Sequence, residues 1–287
     1  RRTRAIEAEM THEYLWRALI DWPKSTGGLA QRDAFARVRD ALAQEDVPVV
    51  EAIGTVVERE VLAGDGGAWY DGGHVPAFEI WIARAATPAA RMLADVQRAG
   101  TRHGAPRDAR DVPLLPAFEG ATAGRVLEAL EENAEFERAP TLAGRPCETG
   151  AIARLATHPL VAALDRAYGR SVLTRLAARI TELARLAAGR AAPRPLAGSR
   201  KLGAGRGLGW VETARGLLLH LVDVNHDVVK RYRIVAPTEW NFHPRGALAS
   251  GLVGVKAGSE RELRQRAERL VQALDPCVTY RLEIRHA

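Results

Sequence analysis

Cysteine and long apolar runs are scarce in this chain. Only Cys147 and Cys277 are present among 287 residues, too few for a disulfide-stapled scaffold, so a reducing cytoplasmic compartment is expected. No run of about 18 apolar residues occurs, which argues against a membrane-spanning helix. No apolar signal-peptide core follows the opening arginines. The eight histidines lack the HxxxH and HExxH spacings of zinc sites, so a histidine-built zinc site is not expected.

Basic residues are in excess, but they are not arranged for nucleic acid. The formal net charge is +6, whereas the arginines are scattered along predicted helices and interleaved with Asp and Glu. A net charge of this kind bears only on non-specific association. Without a basic and aromatic ribbon or zinc-finger spacing, nucleic-acid binding is not expected.

Composition and length are those of an ordinary globular protein. Apolar residues make up 47% and charged residues 26% of the chain, close to the average for soluble domains. The sequence opens at Arg1 rather than Met and enters a helical pattern directly. We therefore expect a single domain over residues 1–287 that lacks an N-terminal segment of a longer protein.

Apolar periodicity predicts a helix-rich body. Residues spaced on one helical face predict helices over Ile6–Trp22, Arg32–Gln44, Arg84–Arg102, Thr122–Phe136 and Pro159–Ala188. Pro23 with Gly27-Gly28 is expected to end the first of these. The proline-rich stretch Ala191–Gly198 predicts a linker or long loop after the last.

Beyond that linker the period changes to that of β-strands. Strands are predicted over Leu208–Glu212, Leu217–Val224 and Val228–Val235, with a hairpin turn at Asn225-His226-Asp227. Ser259 is a predicted N-cap for a last helix that runs to Leu274. The predicted fold class is therefore α+β and predominantly helical, with a helical body and a small C-terminal β-meander.

Candidate functional residues lie at the flanks of this meander. Arg215, at the entry to a strand, offers rigid donors to an anionic or nitrile-like acceptor; a surface arginine is the alternative. Pro237-Thr238 places a hydroxyl beside a fixed turn, which could also be a plain strand end. Asp275-Pro276-Cys277 places a carboxylate beside a thiol, although a lone cysteine is more often a small buried hydrophobe. Asp275 could accept from Arg215 or from a backbone N–H.

Four sequence blocks in order carry a family resemblance. They are Gly144–Arg154 (GRPCETGAIAR), Glu212–Gly216 (ETARG), Val235–Asn241 (VAPTEWN) and Asp275–Cys277 (DPC). Together they resemble the large subunit of nickel-iron hydrogenases from its middle to its C-terminus. The Tyr-Leu-Trp and Asp-Trp-Pro segments between Glu13 and Pro23 are similar to an early helix of the same family.

The resemblance implies a site that has kept its iron half and lost its nickel half. By position, Cys277 matches a thiolate that bridges nickel to an iron carrying cyanide and carbon monoxide, and Arg215, Pro237 and Thr238 match residues around those ligands. Tyr280 stands where a terminal nickel thiolate is expected, and a phenol does not replace that soft ligand. Glu283 stands in place of a histidine. The first cysteine pair is expected upstream of Arg1.

Cys147 belongs to the first block and is a second candidate metal ligand, with a core cysteine as the alternative. Ala214 replaces the usual proline before the pocket arginine.

The pattern of kept and lost residues resembles hydrogenase accessory proteins of the HupK/HoxV kind. The resemblance implies a non-catalytic scaffold that transiently holds the iron-dicyanide-carbonyl group, without nickel, in contact with maturation proteins and the hydrogenase large subunit. Two other readings stay open: the catalytic large subunit of a divergent hydrogenase, and a metal-free paralogue that only binds partner subunits.

Overall fold

The computed structural model describes residues 2–42, 49–64, 69, 74–103, 112–190 and 192–285. The α-helices are Arg2–Trp16, Trp22–Ser25, Arg32–Leu42, Val49–Val56, Val75–Arg84, Pro88–His103, Gly120–Glu132, Ala151–Arg154, Pro159–Tyr168, Val172–Ala187, Pro237–Asn241, Ala247–Leu252 and Glu260–Leu274. Four strands, β1 (Ala197–Gly203), β2 (Arg206–Thr213), β3 (Gly216–Asn225) and β4 (Val228–Val235), form one antiparallel sheet in the order β1-β2-β3-β4. The predicted α+β, predominantly helical class is confirmed.

The chain divides into two compact units. The sheet unit comprises Arg1–Ile6, Pro106–Arg154 and Pro193–Ala287, and the helical unit comprises Glu7–Ala105 and Leu155–Ala192. The expected single domain over 1–287 stays a prediction. Among the described residues, no helix has the length and apolar character needed to cross a membrane.

The sheet unit is organised around one apolar face of its sheet. Alternate residues of β3 point the same way because the side-chain period of a strand is two, and Leu217, Leu219 and Leu221 are all fully buried. Leu208 of β2 and Val235 of β4 complete this face, against which the helix Gly120–Glu132 packs. All three predicted strands are confirmed, and the β3–β4 turn has His226 and Asp227 in the left-handed region at φ 47° and 59°, as a two-residue hairpin loop requires.

A buried arginine joins β4 to the segment after the packing helix. Arg233 is 4% exposed and donates to the carbonyl oxygens of Leu130, Asn133 and Ala134. The last carbonyls of a helix have no partner within the helix, so this guanidinium supplies a donor to the Leu130 carbonyl and to two carbonyls just after the helix ends at Glu132. Glu137 balances its charge at 2.8 Å and accepts from the backbone N–H of Ile234.

Strand β1 begins in the last two residues of the segment predicted as a linker and was not predicted as a strand. Its sequence, Ala-Gly-Ser-Arg-Lys-Leu-Gly, has no apolar alternation and is mostly exposed, so periodicity gave no signal. Backbone pairing with β2 forms it instead. The ring of Trp210 covers Gly198 so closely that a Cβ there would lie 2.1 Å from a ring carbon, which explains why glycine occupies that position.

In the helical unit, the first helical stretch runs past the expected stop at Pro23. A π-helical turn, Arg17–Asp21, leads into the helix Trp22–Ser25. Proline has no N–H to donate to the carbonyl four residues earlier, and that carbonyl, on Leu19, accepts instead from the backbone N–H of Gln31 at 2.7 Å. Helical geometry therefore continues through the proline and ends just before Gly27, whose φ is 74°.

The longest predicted helix is two helices. Gly169 has φ 65°, outside the helical range, and ends Pro159–Tyr168. Ser171 then caps Val172–Ala187 by accepting from the Thr174 backbone N–H at 3.3 Å. The apolar stripe continues across this break, so periodicity alone predicts one continuous helix. The break is therefore set by Gly169 and by the Ser171 cap.

The tight turn between β2 and β3 packs directly on a neighbouring segment. Gly216 has φ 134°, and a Cβ on it would lie 2.3 Å from Thr149 Cγ2 and 3.0 Å from Gly150 N. Gly150 has φ 107°, and a Cβ there would lie 3.1 Å from the carbonyl oxygen of Arg215. Two glycines thus bring the Thr149-Gly150 segment against the turn that carries Arg215.

We expect Gly216→Ala to lower the free energy of unfolding by about 2 to 4 kcal/mol, because it combines left-handed backbone strain with a clash in a packed site. Gly124→Ala is the matched control. A Cβ on Gly124 would have no other atom within 4 Å, and an alanine in a helix interior should add about 0.5 to 1 kcal/mol. Urea denaturation of both variants checks this, and equal effects would contradict the packing argument.

Candidate functional site

Arg215 occupies a two-residue turn that the structure holds in several ways. Thr213 and Gly216 face each other across the turn, and Thr213 Oγ1 accepts from the Arg215 backbone N–H at 3.3 Å and donates to the Gly216 carbonyl at 3.0 Å. The Arg215 side chain is 23% exposed. The turn is therefore fixed while the Arg215 side chain stays partly exposed.

Beneath this turn lies a buried carboxylate between two arginines. Glu212 Oε2 accepts from Arg154 Nη1 at 2.9 Å and Oε1 accepts from Arg194 Nη2 at 2.7 Å. The side chains of Arg154 and Glu212 are 0% and 2% exposed. Arg154 Nη2 also lies 3.5 Å from the Ala214 carbonyl oxygen, and Arg194 Nη1 donates to the Leu115 carbonyl. Charged groups this deeply buried are stable only when paired and hydrogen-bonded, so the set fixes the base of the Arg215 turn.

The thiol of Cys277 contacts the hydroxyl of Thr238. Their Sγ and Oγ1 atoms are 2.8 Å apart, a hydrogen-bond distance at which either can donate, and the Cys277 backbone N–H donates to the same hydroxyl at 3.2 Å. Thr238 follows the buried Pro237 in the first turn of Pro237–Asn241. Cys277 itself is exposed. On that helical turn, burial also raises the pKa of the Glu239 carboxyl.

Asp275 connects the two parts of the site. It ends the helix Glu260–Leu274 in a left-handed conformation at φ 52°, which Asp tolerates better than most residues. Its Oδ2 lies 3.8 Å from Arg215 Nε, within ion-pair range but beyond hydrogen-bond length. Of the two partners left open by the sequence, Arg215 is therefore in ion-pair contact.

The Ser259 N-cap predicted for this helix is confirmed, with Ser259 Oγ accepting from Glu262 N at 3.2 Å.

The structure thus groups five sequence-predicted residues: Arg215, Pro237, Thr238, Asp275 and Cys277.

Cys147, the other predicted metal ligand, lies in the apolar core instead. It is 1% exposed and belongs to the apolar core of the sheet unit, with its sulfur 3.7 Å from the Arg145 carbonyl oxygen. In the part of the chain that the structure describes, no three His, Cys, Asp or Glu side chains are grouped closely enough to ligate one metal ion.

The sequence reasoning did not single out the residues that support the site. Arg154, Glu212 and Asn241 were visible only as letters of the family blocks. One signal could have identified Glu212: it is a charged residue two positions after Trp210 and four after Leu208 in β2, on the face that points into the core. A charge at such a position implies a buried counter-charge.

We expect Glu212→Gln to lower the free energy of unfolding by about 3 to 5 kcal/mol, because it leaves two buried guanidinium groups without their carboxylate. Glu135→Gln is the control, since that side chain is 69% exposed and pairs with an exposed Arg138. Exposed pairs contribute little, so no measurable change is expected there. Denaturation of both proteins at pH 7 measures the difference, and a small effect at Glu212 would contradict the buried-charge argument.

Cys147 should make stability depend on pH in the alkaline range. Burial raises the pKa of its thiol, so the folded chain keeps a proton that the unfolded chain loses. This stabilisation is fully present below the unfolded pKa of about 8.5 and is lost as the pH rises through the folded value. The free energy of unfolding, measured at pH 7.5 to 10, should fall more steeply for the wild type than for Cys147→Ala; parallel curves would show that Cys147 does not cause the loss.

Comparison with known proteins gives consistent matches. Residues 110–280 match the family model described as nickel-dependent hydrogenase. The chain is 33% identical over 304 residues to the hydrogenase expression/formation protein HoxV of Cupriavidus necator, covering 98% of this chain and 76% of that protein. It is 38% identical over 168 residues to HupK of Bradyrhizobium diazoefficiens, which has the same description, covering 56% of this chain but only 45% of that protein. The solved Ni-Fe-Se hydrogenase of Desulfovibrio vulgaris Hildenborough aligns with a TM-score of 0.36 at 23% identity, over 48% of this chain and 36% of that one.

Proposed function

This chain belongs to the nickel-dependent hydrogenase family, and from that premise we propose that it is an accessory protein of hydrogenase maturation. In this proposal it transiently holds the iron-dicyanide-carbonyl group before transfer to the hydrogenase large subunit. The names of HoxV and HupK, both hydrogenase expression/formation proteins, support the accessory role. The iron group is cargo rather than a resident cofactor.

The observation that carries the proposal is the 2.8 Å contact between Thr238 and the exposed Cys277 thiol. A thiolate is a suitable soft ligand for iron. Cyanide nitrogens accept hydrogen bonds, and the nearby Arg215 and Thr238 are a charged and a neutral donor that could supply them. Pro237, buried at the start of the same helical turn, precedes that hydroxyl in the chain and fixes the backbone there.

The ligand set disfavours nickel and permanent binding. Tyr280 is 45% exposed, and the partial burial of its phenol group raises its pKa. The phenol therefore stays protonated at neutral pH and is a poor metal ligand. Within the described residues Cys277 is the one exposed thiol, so this part of the protein contributes one thiolate to the proposed site, which suits a carrier that gives its cargo away.

In this reading the protein is not an enzyme and works in the cytoplasm. Its partners are the maturation proteins that build the iron group and the large subunit that receives it. The two other readings differ in metal content. A catalytic large subunit would contain nickel and consume hydrogen, and a metal-free paralogue would contain neither nickel nor iron.

The test is infrared spectroscopy of protein co-expressed with the maturation machinery. We expect the wild type to contain iron without nickel and to show cyanide and carbonyl bands. Cys277→Ala should lose the bands and the iron, because it removes the thiolate that binds the cargo. Metal analysis on the same samples gives the stoichiometry.

Cys147→Ala is the matched control, since it removes the other thiol and should keep the bands. Bands that persist in Cys277→Ala would exclude Cys277 as the principal ligand. A wild type without bands, in which Cys277 is fully alkylated, would instead support the metal-free paralogue.

A further inference from the structure

One helical turn contacts both ends of the loop that carries Cys277. Thr238 bonds to the thiol and backbone of Cys277. Asn241 lies three residues later in the same turn, and its Nδ2 is 3.4 Å from the carbonyl oxygen of Leu274, the last residue before the Asp275–Cys277 loop. Residues three apart lie on the same face of a helix, so the turn Pro237–Asn241 holds the loop at its start and at its end.

Asn241 also reaches the other part of the site. Its Nδ2 lies 3.5 Å from the Arg215 carbonyl oxygen, and its Oδ1 accepts from the Thr149 backbone N–H at 2.9 Å. Asn241 is 2% exposed. One planar amide, with two donor hydrogens and one acceptor oxygen, thus joins three chain segments that are far apart in sequence.

The chain around the loop explains why a side-chain donor is needed there. The carbonyls of the last helical turn have no donor within their helix. The left-handed Asp275 ends the helix, and the backbone N–H of Cys277, three residues after Leu274, donates to Thr238 Oγ1 instead. The Leu274 carbonyl therefore depends on a donor from elsewhere, which Asn241 supplies.

We propose that Asn241 is a positioning residue that joins the Arg215 turn to the Cys277 loop. It assembles the guanidinium and the thiol into one site before any metal is bound. The site is then preorganised by a protein amide and not by its cargo. The part of this inference that concerns cargo rests on the proposed function, whereas the preorganisation of the metal-free protein does not.

Asn241→Asp separates the contacts of this amide. The carboxylate keeps an acceptor for Thr149 but loses both donors and turns an oxygen toward the carbonyls of Leu274 and Arg215. Asn133→Asp is the matched control, because Asn133 is exposed and its Oδ1 only accepts from the backbone N–H of Glu135, a bond that an Asp keeps.

The first measurement uses the metal-free protein and iodoacetamide, a neutral thiol reagent. We expect Asn241→Asp to raise the alkylation rate of Cys277 about fivefold, because losing hydrogen bonds of ordinary strength lets the loop move away from Thr238, whose hydroxyl otherwise contacts the exposed sulfur. Far-ultraviolet circular dichroism should be unchanged, and Asn133→Asp should react at the wild-type rate. If Asn241→Asp does not fold, the neutral Asn241→Ala takes its place with the same expectation. A wild-type rate in a folded Asn241 variant would overturn the proposal.

The second measurement uses cargo-loaded protein. Asn241→Asp should retain a carbonyl band but shift or broaden the cyanide bands, because the donors around the cyanides are displaced; a merely structural residue would leave those frequencies unchanged. If Cys277→Ala loses the bands while Asn241→Asp keeps the wild-type band frequencies and the wild-type alkylation rate, only the positioning role is refuted. Bands that persist in Cys277→Ala, together with faster alkylation in Asn241→Asp, would refute only the cargo ligand.

Discussion

The buried Glu212 carboxylate, held between Arg154 and Arg194, is the interaction on which the site depends. It lies on the core face of β2 and joins that strand to the segments ending at Arg154 and beginning near Arg194. Charges in such a position are costly unless every one is paired, so the arrangement permits very few alternative geometries. The Arg215 turn begins two residues after Glu212, so its backbone is held in place by the same ion pairs.

The fold class followed from sequence because apolar period is a local property. The three apolar strands and the capped helix after Ser259 were predicted near their observed bounds. Strand β1 was not, since its exposed residues carry no apolar alternation and it exists through pairing with β2. The break at Gly169 and the continuation through Pro23 depend on single backbone groups that an apolar stripe does not report.

The site could be predicted only in part, for a similar reason. Arg215, Thr238 and Cys277 were found because their blocks resemble a known family, and the structure brings their segments together. Asn241 was in one of those blocks, yet nothing in the sequence shows that its amide reaches Thr149, Arg215 and Leu274. These contacts join positions up to 92 residues apart, and only the folded backbone decides them. Cys147 belonged to a matching block, but its surroundings are those of the apolar core.

The exposure of the Cys277 thiol has a kinetic consequence for a cargo bound there. Ligand exchange at a metal is faster when an incoming ligand can approach before the old bond breaks, and a solvent-facing sulfur leaves room for that approach. If the proposed cargo is bound through Cys277, an acceptor that offers two thiolates would gain by chelation what this one sulfur does not provide. The exposure of this sulfur would then favour transfer toward the acceptor.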